Sequence, residues 1–412
     1  MAYLFIFLVL YLIFMLFKKR PSMYVIKLKN YIIPIFIVGF LICIICFSSS
    51  SLETARNSFM LWVNNVVPSL LPFFICIELL KQTNFIEVVG KALNPIMYPL
   101  FNVPGSGAFA LAMGITSGYP VGAKVAKDLY KDGLCSKTEA ERLIAFTNSS
   151  GPLFIIGAVG TGMFLEPKIG LLLFLTHFLG SITVGIIFRN YKKSKTTSNI
   201  IPQVSIKSKS YENLKLQNLG KFMGIAIQNS ISTLLMILGF MMFFAVLSEV
   251  LANTRISIIF SYIIEYILKL FNVSASLSNG IFCGILEITN GLNQISLLEN
   301  VNFIEKLPVA ALVLGFGGFS VHMQVASIIS DSDLSLKPYL FGKLLQGIFS
   351  SIYTLLLMKF TNFFSWDVIE SFSYNNSNTK IISESSNLLC VLTVICAIGI
   401  VLQICKKIKN FK

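Results

Sequence analysis

Charge is scarce in this chain: Asp, Glu, Lys and Arg together make up 13% of 412 residues, and histidine occurs only twice. That little charge cannot solvate the surface of a soluble domain of this size. Two histidines exclude a His-rich metal centre. The eight cysteines form no framework: Cys43 and Cys46 are spaced as C-x-x-C, but inside an apolar run with no second pair, so they read as small apolar filler. No metal-ligand cluster, no nucleophile–base pair and no phosphate-binding loop of the Walker type is present. The expectation is therefore no enzyme, no resident metal or cofactor, and no ATP-driven transport by this chain alone.

What is abundant is apolar sequence. Hydrophobic residues account for 55% of the chain and the mean hydropathy is +0.77, the composition of an all-α polytopic membrane protein. The excess of 33 basic over 19 acidic residues does not point to nucleic acid. The basic residues gather beside apolar runs, at Lys18–Arg20, Lys27 and Lys29, again from Arg189 to Lys221, and again from Lys406 to Lys412, which is the positive-inside pattern. Apolar runs near 2–17, 31–47, 58–80, 140–163, 167–189, 224–250, 306–328, 337–359 and 387–405 give about nine transmembrane helices. With 18–30 in the cytoplasm, this count puts 190–223 and the C-terminal lysines on the same side. The first run is followed by Lys18-Lys19-Arg20 rather than a cleavage site, so it reads as a retained span.

The membrane part reads as written twice, about 170 residues apart. Phe101-Asn102-Val103 returns as Phe271-Asn272-Val273, Gly114-Ile115 as Gly284-Ile285, Phe73-Phe74 as Phe243-Phe244, Ser150 as Ser320, and Ser181-Ile182 as Ser351-Ile352. Each copy holds three crossings, so the copies should lie in opposite orientations, as an inverted repeat. The expected organisation is N-terminal spans at 1–56, a first repeat at 57–190, a basic linker at 191–223, a second repeat at 224–360, and a C-terminal span and tail at 361–412.

Within each repeat, polar and small residues interrupt the apolar pattern. Residues 105–131 and 275–298 are too short and too broken for two full spans each and read as two re-entrant helical hairpins. The first has Thr116, Ser117, Gly118, Tyr119, Pro120 and Gly122 at its tip, followed by Lys124. Pro120 breaks the helix, and the N–H groups beyond it favour an anion. Lys124 either adds a positive charge to that site or snorkels to the interface. The second hairpin has Glu287, Thr289, Asn290 and Gly291. Glu287 is a candidate for coupling to a proton or sodium ion, or a carboxylate partner for Lys124. Asn148, Ser149, Ser150, Gly151 and Pro152 break the span at 140–163, and Gly315–Ser320 break the one at 306–328, with His322 just beyond. Glu78 and His177 look peripheral. For Gly157, Gly160 and Gly162, close helix packing is the simpler reading. Together these residues outline a site for a small polar or anionic solute in a lipid bilayer; oligomerisation is left open.

At these motifs the chain resembles a known family. Pro68–Phe74, Gly118–Lys124, Glu139–Leu143 and Asn148–Gly157 look like the YlbJ-type sporulation integral membrane proteins, a group with a nucleoside-recognition Gate domain. The resemblance covers roughly residues 30–405, its second half mainly by hydropathy. It implies a fold similar to concentrative nucleoside transporters, with inverted repeats, re-entrant hairpins and elevator-like movement. It also implies passage of dipicolinic acid, a small aromatic dicarboxylate, across the outer forespore membrane of an endospore-former. Nucleoside passage is the alternative substrate reading, and a non-transporting scaffold for spore-envelope assembly is the alternative of another class.

Overall fold

The computed structural model describes residues 23–80, 82–83, 85–192 and 219–360. Every regular element among them is helical. The spans expected at 2–17 and 387–405, and most of the linker, lie outside the described residues.

Helix α1 (Met23–Cys46) meets α2 (Ser48–Leu61) at a bend of 99°. A π-helical turn at Trp62–Val66 joins α2 to α3 (Val67–Leu80), and α4 (Phe85–Phe101) follows. The segment expected to form a first hairpin is two helices, α5 (Gly107–Ser117) and α6 (Val121–Lys131), packed on each other. Next come α7 (Lys137–Thr147), a π-helix at Leu153–Met163, and α8 (Pro167–Phe188). The second half opens with α9 (Leu219–Asn253) and α10 (Ile256–Leu270). A second helical hairpin, α11 (Ser278–Leu286) and α12 (Ile288–Ser296), leads to α13 (Phe303–Phe316), α14 (Gly318–Ile329) and α15 (Lys337–Phe360).

The two halves correspond element by element. At the common offset of about 170, α4 pairs with α10, α5 with α11, α6 with α12, α7 with α13 and α8 with α15, with starts agreeing to within about five residues. Asn102 and Asn272, which follow α4 and α10, both adopt the left-handed conformation at φ 54°. Asparagine tolerates that region better than most residues, which suits it to end both helices at the same turn.

Among the described residues four helices are long and apolar enough to cross a membrane: Pro167–Phe188, Leu219–Asn253, Phe303–Ile329 (α13 and α14 together) and Lys337–Met358; counting the bent pair Ile33–Cys46 and Ser48–Asn64 makes five. Fewer long spans appear here than the apolar runs suggested, for a physical reason. The run at 140–163 is divided at Asn148–Pro152, so neither piece has spanning length. The run at 58–80 belongs to a helix whose first half, Ser48–Leu61, is largely polar, and which changes hydrogen-bond register at the π turn.

Local sequence explains where the site-bearing elements begin. Ser136 and Glu139 form a capping box at the start of α7, each side chain bonding the other's backbone N–H. Hairpin 1 is tied at its base to the turn before α15. Lys127 and Lys131 pair with Asp331, while Lys137 and Tyr130 bond Asp333. The Lys131 and Lys137 hydrogen bonds hold the two carboxyls below their ordinary range.

Candidate functional site

Helix α7 stops because Asn148 leaves helical geometry, at φ −84° and ψ 90°. The chain then runs unwound to Pro152, and the carbonyls at the end of α7 lose their intrahelical partners. Asn148, Ser149 and Ser150 are all buried. The tip of hairpin 1 lies against this break. Gly118 takes φ +82°, and a side chain there would stand 2.7 Å from the Gly151 nitrogen. The Tyr119–Pro120 peptide is cis. Across the molecule, α13 gives way to α14 at Gly317, with φ +86°. The second hairpin turns beside it, since a side chain on Gly318 would meet the Gly284 carbonyl at 2.9 Å. Each hairpin tip therefore rests on one broken helix. Tyr119 joins the two halves: its Oη donates to the Leu314 carbonyl at 3.1 Å, beside Gly317.

Lys343 of α15 reaches the centre of this junction, although the apolar run at 337–359 drew no attention to it. It is fully buried. Its Nζ donates to the Asn148 carbonyl at 2.9 Å and to Gln346 Oε1 at 2.6 Å, and stands 4.9 Å over the Tyr119 ring. Among the described residues no carboxylate lies within 4 Å of it. A lysine ammonium at the end of α7 sits where helix carbonyls favour a cation. Among the described residues nothing offers it an opposite charge, so its charged form is costly until an anion joins it.

The groups around Lys343 are hydrogen-bond donors with unused capacity. His177 Nε2 accepts from the Ser150 N–H at 3.0 Å and from Gln346 Nε2 at 3.2 Å. These bonds assign the ring proton to Nδ1, which is buried without a partner. His322 Nδ1 faces Tyr339 Oη at 3.1 Å, and that oxygen accepts from Asn148 Nδ2 at 3.4 Å. With Tyr339 donating to Nδ1, the ring's one N–H is on Nε2, also buried and unpartnered. Ser117 adds a buried hydroxyl without a protein partner, and Ser150 places its hydroxyl beside Tyr119. The elements that meet at this junction thus carry several buried polar groups not fully used by the protein.

Other residues expected in the site have different surroundings. Thr116 is exposed and bonds back to the Ala112 carbonyl. The free N–H groups beyond Pro120 are partly taken up, because Asn148 Oδ1 accepts from the Ala123 N–H. Gly122 packs on the Thr147 carbonyl. Lys124 points away from the breaks and pairs with Glu78 at 3.0 Å, while also donating to Thr233. Its charge is thus matched inside the protein. Glu287 is buried and caps α12, accepting from the Thr289 and Asn290 N–H groups at 3.1 and 2.8 Å. Thr289 and Asn290 line a separate cavity of about 250 Å³ with Glu287. Gly291 packs on Gly284, and Ser320 is buried in the first turn of α14. Glu78 and His177, which look peripheral from sequence, are both buried and hydrogen-bonded. The missed residues are Lys343, Gln346, Tyr339 and His177. Lys343 and Gln346 stand three apart on one helix face in an otherwise apolar span, which is the signal that could have found them.

Two helical hairpins seated on two broken helices, in a chain with helices of membrane-spanning length, define a polytopic helical membrane protein. The family model described as "Nucleoside recognition", Gate, matches residues 63–191. The sporulation integral membrane protein YlbJ of Bacillus subtilis (strain 168) is 37% identical over 342 residues, covering 81% of this chain and 84% of that protein. The chain belongs to this YlbJ family and is an integral, multi-pass membrane protein. Among solved structures, a CNTnw variant in an outward-facing state aligns over 81% of this chain and 86% of its own, at 12% identity and a TM-score of 0.49. CNTnw in an inward-facing substrate-bound state aligns over 81% and 85%, at 10% identity and a TM-score of 0.42.

Proposed function

We propose that this protein is a secondary transporter or facilitator for a small anionic solute, most specifically dipicolinate, at the outer forespore membrane during sporulation. In this reading the elements form an inverted repeat with two re-entrant hairpins, moving in an elevator-like alternation. The observation that carries the anion is the Lys343 amine, buried at the junction of the two breaks with no carboxylate beside it among the described residues, and held by elements that also carry His177, His322, Ser117 and Ser150. An intramembrane cation of this kind is costly unless something compensates it. A carboxylate supplies the missing charge and accepts the spare protons together. A dicarboxylate on an aromatic ring also suits the Tyr119 ring that borders the ammonium. A neutral nucleoside would use the donors but leave the charge uncompensated. A scaffold for envelope assembly would need neither. In this reading Glu287 remains the candidate for a coupling proton or ion.

The test is ligand-induced stabilisation of the full chain in detergent. A ligand at about a hundred times its Kd adds roughly 2.7 kcal/mol to a protein that binds it only when folded. Dipicolinate should raise Tm by several degrees, and uridine at equal concentration should leave it unmoved. Stabilisation by uridine alone would replace this reading with the nucleoside one.

A further inference from the structure

The offset between the halves allows the same seam to be compared twice. On the first-half side, α3 faces the second helix of hairpin 1. Glu78 and Lys124 meet there in an ion pair, Asn229 and Thr233 of α9 brace it, and the gap left over is only about 10 Å³. In the second half, the residues 170 positions on are Ser248 and Gln294, on α9 and the second helix of hairpin 2. Both are uncharged and line the 250 Å³ cavity, with Asn57 of α2 on its other wall; the charged groups in that lining are the carboxylates Glu249 and Glu287, with no lysine or arginine beside them. One seam is closed by an ion pair; its counterpart is open and has no cation to pair with its carboxylates. Phe74 and Phe244 stand at the same register on the two long helices, which supports matching Glu78 with Ser248; the second hairpin has the shorter turn, so Lys124 answers to Asn293 or Gln294, and both of these line the cavity.

We propose that Lys124–Glu78 is a latch that holds the hairpin-1 seam shut, and that the cavity beside Ser248 and Gln294 is the equivalent seam in its open form. This rests on the transport reading above. In an inverted-repeat transporter the two halves exchange conformations, so the second state closes the cavity and parts the ion pair. The asymmetry of charge biases the protein toward the state seen here. A half-buried pair of this kind contributes only in the closed seam, which is the differential interaction a two-state switch requires. The same pairing explains why Lys124, though placed near the first hairpin tip in sequence, is not available to a substrate.

Thiol labelling of the reconstituted full chain, with native cysteines replaced, tests the latch without any solute. Asn57→Cys reports the cavity, and Ile77→Cys, buried beside the ion pair, reports the closed seam. Asn57→Cys should label readily and Ile77→Cys slowly. Adding Glu78→Gln or, separately, Lys124→Gln should raise Ile77→Cys labelling about tenfold, the population shift expected from losing one charged hydrogen bond. Moving the latch, by Ser248→Glu with Gln294→Lys, should slow Asn57→Cys labelling; this variant keeps the native pair and so does not depend on the tolerance of Glu78→Gln. Unchanged labelling at both reporters in all three variants overturns the proposal. Shifted labelling in a protein that fails to respond to dipicolinate leaves the latch standing and removes the substrate assignment alone.

Discussion

On the proposed function, Lys343→Met should weaken dipicolinate binding at least tenfold while leaving the protein folded. The ammonium supplies the only positive charge among the described residues at the junction of the two breaks. A hydrogen bond to a charged group is worth about 1.5–3 kcal/mol, so its loss weakens binding roughly ten- to hundredfold. In a site of low dielectric the second carboxylate makes the effect larger. The effect on stability is smaller because two terms oppose. Methionine removes a buried charge, which favours folding. It also strips the Asn148 carbonyl and Gln346 Oε1 of their donor, which costs about 1–3 kcal/mol. Isothermal titration with dipicolinate, beside a thermal melt, separates the two. Lys124→Gln is the contrasting variant. Its charge is already paired with Glu78, so it should retain far more of the affinity. Equal loss in both variants would mean that the charge is not read at Lys343.

Gly114→Ala prevents hairpin 1 from seating on the break after α7. A Cβ there would lie 1.8 Å from the Thr147 carbonyl oxygen, which is backbone and cannot rotate aside. Overpacking of a close contact commonly costs about 1–3 kcal/mol, and a collision with backbone belongs at or above the top of that range. The loss falls on the contact that brings Ser117 and Gly118 to Ser150 and Gly151, so activity disappears with stability. Gly157→Ala is the control, because nothing stands within 4 Å of its added methyl. The check is the yield of monodisperse protein and its Tm: the Gly114 variant should fail or melt many degrees lower, the Gly157 variant should match wild type.

Much of the architecture was legible because it depends on local chemistry. Pro120 and the Asn148–Pro152 run cannot continue a helix, and the helices do stop there. The shared offset of Phe-Asn-Val marked two turns that adopt the same left-handed asparagine. The span count was less legible. Hydropathy does not register a polar α2 or a break that leaves two short pieces, so apolar runs outnumber long helices. The candidate site was read in part. Asn148, Ser149 and Ser150 come together with Tyr119 and His322 around one junction. Lys343 and His177 were overlooked because each is a single polar residue in an apolar span, and only tertiary packing turns a residue of that kind inward. The Lys124–Glu78 pair joins residues from separate helices, and no spacing rule links them. Glu287 stood out as an isolated intramembrane acid, yet its two hydrogen bonds cap α12 and give it a structural duty that sequence alone did not reveal.

Counterflow in proteoliposomes tests the central claim most directly. Vesicles holding the purified chain and loaded with unlabelled dipicolinate should accumulate labelled dipicolinate from outside, vesicles loaded with uridine should not, and Lys343→Met should remove the signal. Accumulation of labelled uridine without dipicolinate, or dipicolinate counterflow undiminished in Lys343→Met, would contradict the account.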